Sequence, residues 1–229
     1  MSQLPLKFDA KGLVPVVVQD ELTGEIRMFA FATEEAVRTT QRTGLATFWS
    51  RSRGELWQKG RTSGTEVHVS QVLADCDADC VIYLGDPKGN TCHSGAPSCF
   101  FQSLEGESLQ QASEQPQTLL KRLEAVLDAR KQATGASSYT KSLYDGGAPK
   151  IGGKIREEAD ELARALAGER DERVIAETAD VLYHVLVGLR WRGIDLRSVL
   201  AELAGRLGRS GHEEKASRPR EGARVDSSR

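Results

Sequence analysis

Two hydrophobic periods divide the chain. Up to about residue 100, apolar residues fall in short β-rich runs: Leu13 to Val18, Ile26 to Phe31, Ala46 to Trp49, Val67 to Leu73, and Val81 to Leu84. One helical stretch interrupts them, Glu34 to Thr43, with Thr33 placed to cap its start and Gly44 to end it in the left-handed conformation that glycine tolerates. From Pro116 the spacing becomes helical, with Leu119, Leu120, Leu123, Val126 and Leu127 on one face and Gly135 as the stop. Longer helical patterns follow near 150–167 and 171–192, and Asp195 can cap a further helix, Leu196 to Leu207. The pattern predicts two domains: an N-terminal α+β, β-rich domain over 1–107 and a C-terminal all-α helical bundle over 117–208. Residues 108–116, rich in Glu, Ser and Gln, read as a linker, and the polar, charged segment 209–229 as a disordered tail.

A length of 229 residues fits one domain or two, so the change of period decides. The formal net charge is −2 with the basic residues dispersed, which argues against nucleic acid as a partner. No apolar run approaches the roughly 20 residues that span a bilayer. The opening MSQLPLKFDA lacks the charged-then-apolar build of a signal peptide, so a cytoplasmic enzyme away from membranes is expected. All four cysteines fall between Cys76 and Cys99 and are interleaved with Asp and His, a distribution suited to ligands more than to a disulfide framework.

The run DCDADC at 75–80 is the densest set of metal-binding side chains in the N-terminal half. If extended, it directs Asp75, Asp77 and Asp79 to one face and Cys76 to the other. Three carboxylates suit Mg²⁺, whereas thiolates suit Zn²⁺. Cys92 and Cys99 can be turned toward one point by Gly95 and Pro97. With Cys76 they leave one tetrahedral position for water, which zinc can activate near neutral pH, and His93 is placed to move protons. A structural Cys₄ zinc completed by Cys80 is the competing reading, and free buried cysteines a third.

In the second half, Ile151, Ile155, Ala159, Leu162 and Leu166 form an apolar stripe with Glu158 and Glu161 along its border and Glu157 between. On the next helix Val174, Thr178, Val181, Leu182, Val185 and Leu189 make the stripe, flanked by Glu177, Asp180 and His184. Facing carboxylates repel unless a cation sits between them, so the pair of acidic edges argues for Mg²⁺; solvated helix faces are the alternative. His184 reads as a packed or capping histidine rather than a ligand.

TFWSRSRGELWQKGRTSG at 47–64, DCDAD at 75–79 and CHSGAPSCF at 92–100 together resemble phosphoribosyl-AMP cyclohydrolase. That resemblance implies a homodimer whose zinc is held by Cys92 and Cys99 of one chain and Cys76 of the other, three Mg²⁺-binding aspartates, and hydrolytic opening of the adenine ring. It gives Arg51, Ser52, Arg53, Lys59, Ser63 and Gly64 a role with phosphate and ribose, against the alternative of a solvated loop. Trp49 and Trp57 are placed for stacking on the base or for core packing. SSYTKSLYDGGAPKIGGKIREEADEL at 137–162 with ETADVLYHVLV at 177–187 resembles phosphoribosyl-ATP pyrophosphatase of the all-α nucleotide pyrophosphohydrolases. The resemblance implies Mg²⁺ on Glu158, Glu161, Glu177 and Asp180, attack by water between the α and β phosphates, Glu157 as a further ligand or base, and Lys154 on phosphate. Both activities belong to histidine biosynthesis, and small nucleotides are the expected substrates.

Overall fold

The computed structural model of the chain describes residues 3–111, 118–132 and 138–207. Strict alternation sets the central strand of the first unit: β1 (Val14–Asp20) buries Val14, Val16 and Val18 and leaves Pro15, Val17 and Gln19 half-buried. It lies between antiparallel β2 (Ile26–Ala32) and parallel β6 (Val81–Pro87). Beyond β2 come β3 (Thr47–Ser50) and β4 (Glu55–Gln58), and β5 (Val67–Ala74) flanks β6, giving the order β4-β3-β2-β1-β6-β5. Helix α1 (Glu34–Thr43) covers the buried face, where Ala36 and Val37 join Phe48, Val81 and Tyr83 in the core. Thr33 Oγ1 accepts from the Ala36 N–H at 3.2 Å, and Gly44 closes the helix at φ 70°.

The five expected strands and this helix are present, with ends shifted by a few residues. β4 is an addition, because Glu-Leu-Trp-Gln is too short and polar to stand out in the sequence. A hairpin of β7 (Gln102–Glu105) and β8 (Ser108–Gln111) replaces the start of the expected linker. Of that linker 112–116, and the whole tail 209–229, lie outside the described residues.

The second unit comprises α2 (Leu119–Gln132), α3 (Tyr139–Leu166), α4 (Asp171–Trp191) and α5 (Leu196–Arg206). α3 begins well before the helix expected from 150: Ser138 caps it through the Lys141 N–H at 3.1 Å. It breaks direction at Gly147 (φ 60°, ψ −159°), a conformation that glycine alone adopts without strain, and Pro149 then starts the second half. Leu127, Leu143, Tyr144, Ile151, Leu186 and Val187 form the core. The expected stripes are rotated about the helix axes. Ala159, Leu166, Thr178 and Leu182 are exposed, while Glu158, Ala165, Glu177 and His184 face inward. On α2, Leu119 and Leu120 are exposed and Glu124 is buried. Partnering explains the exchange: Glu124 accepts from the Leu196 N–H at 2.8 Å and from Lys121 at 3.0 Å.

The α5 helix buries none of its own residues. From its first turn the Arg197 guanidinium reaches Asp20 and, at 2.5 Å, Asp86, at the ends of β1 and β6. Among the described residues no helix is long and apolar enough to cross a membrane.

Candidate functional sites

The loop after β6 is fastened to β2 by backbone chemistry. The Cys99 N–H donates to the Arg27 carbonyl at 2.9 Å, Ser98 Oγ donates to the Ile26 carbonyl at 2.8 Å, and the Cys92 N–H closes onto the Ala96 carbonyl at 3.1 Å. This brings Cys92 and Cys99 into mutual thiol contact. Burial alone would raise the Cys92 thiol, but the Ser94 hydroxyl, 3.0 Å from Sγ, and backbone N–H donors hold it below the usual range. Burial, and then Cys92, pushes Cys99 up to about 11. The two thiols are thus split, Cys92 the readier to ionise and Cys99 the harder, and a soft cation held here would take both sulfurs as thiolates.

These thiols open into a cavity of about 1010 Å³ whose wall also contains Arg53, Lys59, Ser63 and His93. Lys59 is buried, its ammonium donating to the Thr65 carbonyl at 3.0 Å and to Thr65 Oγ1 at 2.7 Å. Burial lowers its pKa, with Cys99 and Cys92 opposing. Arg61, Thr65 and Asn90 line the same wall and escaped the sequence reading, which had only loop polarity to find them by. Trp49, Arg51 and Ser52 instead line a neighbouring depression of about 310 Å³, where the Arg51 guanidinium lies 4.1 Å from the centre of the Phe31 ring. Trp57 borders both. Gly64 lines neither; it closes a turn onto the Gly60 carbonyl at 2.8 Å.

The DCDADC run is a turn rather than an extended strand, with Ala78 at φ 62°. Asp75 causes the difference: its Oδ1 accepts from the Asp79 and Cys80 N–H groups at 3.0 Å each, a local bond that outcompetes extension. The turn still gathers Asp75, Asp77 and Asp79, with one oxygen of each within 4.8 Å of the others. Cys76 sits on this turn, exposed, and does not line the cavity of Cys92 and Cys99. Backbone donation from Cys80 lowers Asp75, whereas the charges of Asp77 and Asp75 raise Asp79.

In the helical unit, α3 and α4 bring Glu158, Glu177 and Asp180 together, again with one oxygen of each within 4.8 Å of the others. Glu177 is 1% exposed, and its Oε2 has no hydrogen-bond partner, while Arg173 holds Oε1 at 2.6 Å. Burial raises Glu177; Arg173 opposes this, and Glu161, Asp180 and Glu158 add to it. Glu161 stands outside the set of three, engaged by Arg173 at 3.2 Å. Lys154 bridges Glu157 and Glu158 at 3.0 Å each, and these two hold its ammonium above the usual range. An orphaned buried carboxylate oxygen facing two further carboxylates fits a hard divalent cation.

Comparison with known proteins assigns each unit. Residues 28–101 match the model of phosphoribosyl-AMP cyclohydrolase, and residues 120–206 that of phosphoribosyl-ATP pyrophosphohydrolase. The histidine biosynthesis bifunctional protein HisIE of Aquifex aeolicus is 42% identical over 205 residues, covering 89% of this chain and 99% of the relative. The chain belongs to the HisIE family. Its chloroplastic member in Arabidopsis thaliana is 41% identical over 222 residues, 93% of this chain and 79% of the relative, and that of Pyrococcus furiosus 40% over 195 residues, 85% and 91%. As a HisIE protein, the chain is a bifunctional hydrolase of histidine biosynthesis whose β-rich unit carries the cyclohydrolase and whose helical unit carries the pyrophosphohydrolase.

Proposed function

We propose that ring opening takes place in the cavity of Cys92 and Cys99 and release of pyrophosphate at the Glu158, Glu177 and Asp180 cluster, the second product becoming the first site's substrate. The orphaned Glu177 oxygen carries the second assignment, since a buried carboxylate oxygen left without a partner beside two further carboxylates is costly without a cation. In the first site Cys92 and Cys99 hold zinc, and the third sulfur is Cys76 of a partner chain in a homodimer. Its place on the Asp75–Cys80 turn, away from the other two thiols, supports that reading. Asp75, Asp77 and Asp79 take Mg²⁺. When bound, zinc supplies a water that is nucleophilic near neutral pH, and Mg²⁺ neutralises phosphate oxygens.

The chain's own residues do the rest. His93, on the cavity wall with Nδ1 3.9 Å from Cys92 Sγ, moves the proton between water and the ring. Arg53, Lys59 and Ser63 face the phosphate and ribose within the cavity, and Trp49, Arg51, Ser52 and Gly64 shape its approach. In the second site Lys154 balances phosphate charge, Glu157 takes the proton of the attacking water, and Glu161 completes the acidic edge. The enzyme works in the cytoplasm on small nucleotides.

The test measures metal content and both half-reactions in Cys92→Ala and Glu177→Gln. Cys92→Ala is expected to lose zinc and ring opening while still releasing pyrophosphate, and Glu177→Gln to lose only the Mg²⁺-dependent release. Loss of both steps in either variant overturns the assignment of separate sites.

A further inference from the structure

Beside the carboxylate cluster lies a hydrogen-bonded chain that the cation does not need. His184 is 4% exposed, with Nδ1 2.8 Å from the Asp180 carbonyl oxygen and Nε2 2.8 Å from the Tyr139 hydroxyl. A carbonyl only accepts, so Nδ1 carries the hydrogen, and in the neutral ring Nε2 accepts the phenolic hydrogen of Tyr139. The imidazole is wedged edge-on against Tyr139 and Tyr183, with ring centres 6.0 and 5.2 Å away. Next to it, the Tyr183 hydroxyl meets Thr140 Oγ1 at 2.7 Å. The first turn of α3 is thereby fastened to α4. That turn and the segment bearing Lys154 and Glu158 lie on opposite sides of the break at Gly147.

With its hydrogen committed to His184, the Tyr139 oxygen offers only lone pairs to the outside, where the ring is half exposed. One carboxylate oxygen links this chain to Lys154: Glu158 Oε1 lies 3.9 Å from His184 Nδ1 and 3.0 Å from the Lys154 ammonium. Burial raises the Tyr139 phenol, with Lys154 acting against this and Glu158 with it. Lys154 now divides its donors between Glu157 and Glu158. Were Glu158 to turn this oxygen to a cation, Lys154 would keep Glu157 and have a donor free for a further acceptor.

We propose that Tyr139 is a positioning residue of the pyrophosphohydrolase site. Fixed by His184, its oxygen accepts from the Lys154 ammonium and holds that charge against the phosphate chain of phosphoribosyl-ATP. This rests on the assignment of Glu158, Glu177 and Asp180 as the cation site.

The test is a kinetic double-mutant cycle on the full-length protein, with Tyr139→Phe, Lys154→Gln and the pair. Tyr139→Phe keeps the ring contacts and removes only the oxygen. It is expected to raise KM for phosphoribosyl-ATP about ten- to a hundredfold, the worth of a hydrogen bond to a charged group, with kcat changed by less than about twofold. In the Lys154→Gln background it is expected to add nothing, because its target is gone. An unchanged KM, effects that multiply, or a fall in kcat alone would overturn the proposal. So would a parallel fall in cyclohydrolase activity, which marks a folding defect. Glu177→Gln separates the layers: if it keeps Mg²⁺-dependent turnover, both the cation site and this proposal fail, whereas its loss with an unchanged Tyr139→Phe KM removes this proposal alone.

Discussion

Arg197, at the start of the last helix, forms an ion pair with Asp20, a carboxylate buried at the end of the first strand. The other Asp20 oxygen already accepts from the Leu22 and Thr23 N–H groups at 3.0 and 3.1 Å, so the guanidinium satisfies the remaining one. Arg197→Ala is expected to destabilise the β-rich unit by about 1–3 kcal/mol, and Arg197→Lys to recover only part of this, because Arg197 serves Asp20 and Asp86 from two separate nitrogens of a planar group, a span that a single ammonium nitrogen does not reproduce. Thermal unfolding measures both. Burial works to raise Asp86, yet Lys88 and Arg197 hold it below the usual range. Its contribution is therefore present above the ordinary Asp value near 3.9 and lost as pH falls through the lower folded value.

Alkaline stability should report on Tyr83. The side chain is wholly buried, and burial pushes its phenol up to about 12. An unfolded phenol titrates near 10, so stability holds below that pH and is lost as pH rises through the folded value, by roughly 2 kcal/mol at pH 12. Denaturant titrations between pH 9 and pH 12 are expected to show a shallower decline in Tyr83→Phe; an equal slope in the two proteins would contradict the assignment.

Removing charge from Glu177 should stabilise the metal-free protein. Its folded pKa is raised, so the ionised carboxylate costs stability above the ordinary Glu value, and more as pH rises through the folded value. Glu177→Gln is expected to melt higher than the parent at pH 8 in chelator and to lose the stabilisation that added Mg²⁺ gives the parent. Calorimetry with and without Mg²⁺ distinguishes this from a general packing effect.

The break in α3 can be tested at Gly147. A side chain at φ 60° and ψ −159° is strained, so Gly147→Ala is expected to cost about 1–3 kcal/mol and to slow pyrophosphate release by shifting the turn that bears Tyr139 relative to the segment that bears Lys154 and Glu158. The Cβ itself finds room, its nearest neighbour being Trp191 Cζ2 at 3.7 Å, so strain rather than collision is the cause. Cyclohydrolase activity, assayed in the same preparation, should be unchanged.

Much of this was readable from residue order. Period-2 runs located the long strands, Thr33 and Gly44 marked both ends of α1, and the i, i+3 carboxylates pointed to the α3–α4 seam. What escaped was set by tertiary partners. Glu124, Glu158 and Glu177 occupy inward positions where aliphatic residues were expected, because each found a partner or a shared cluster there, whereas His184 is packed as its place on the helix flank suggested. The half-helix from Tyr139 was hidden by Gly146, Gly147 and Pro149, which read as a loop until the break in direction is seen. The turn at Asp75 was hidden because side-chain bonding to its own backbone has no periodicity.

The separation of Cys76 from the other two thiols has a genetic counterpart. Under the proposed sharing of one site between two chains, a chain lacking Cys76 and another lacking Cys92 would each spoil every site they build alone, yet a twofold pair made of one of each would regain one intact set. Mixed after unfolding, the two dead proteins should recover ring opening at about a quarter of the sites, the random-pairing share. A site closed within one chain would allow no such rescue.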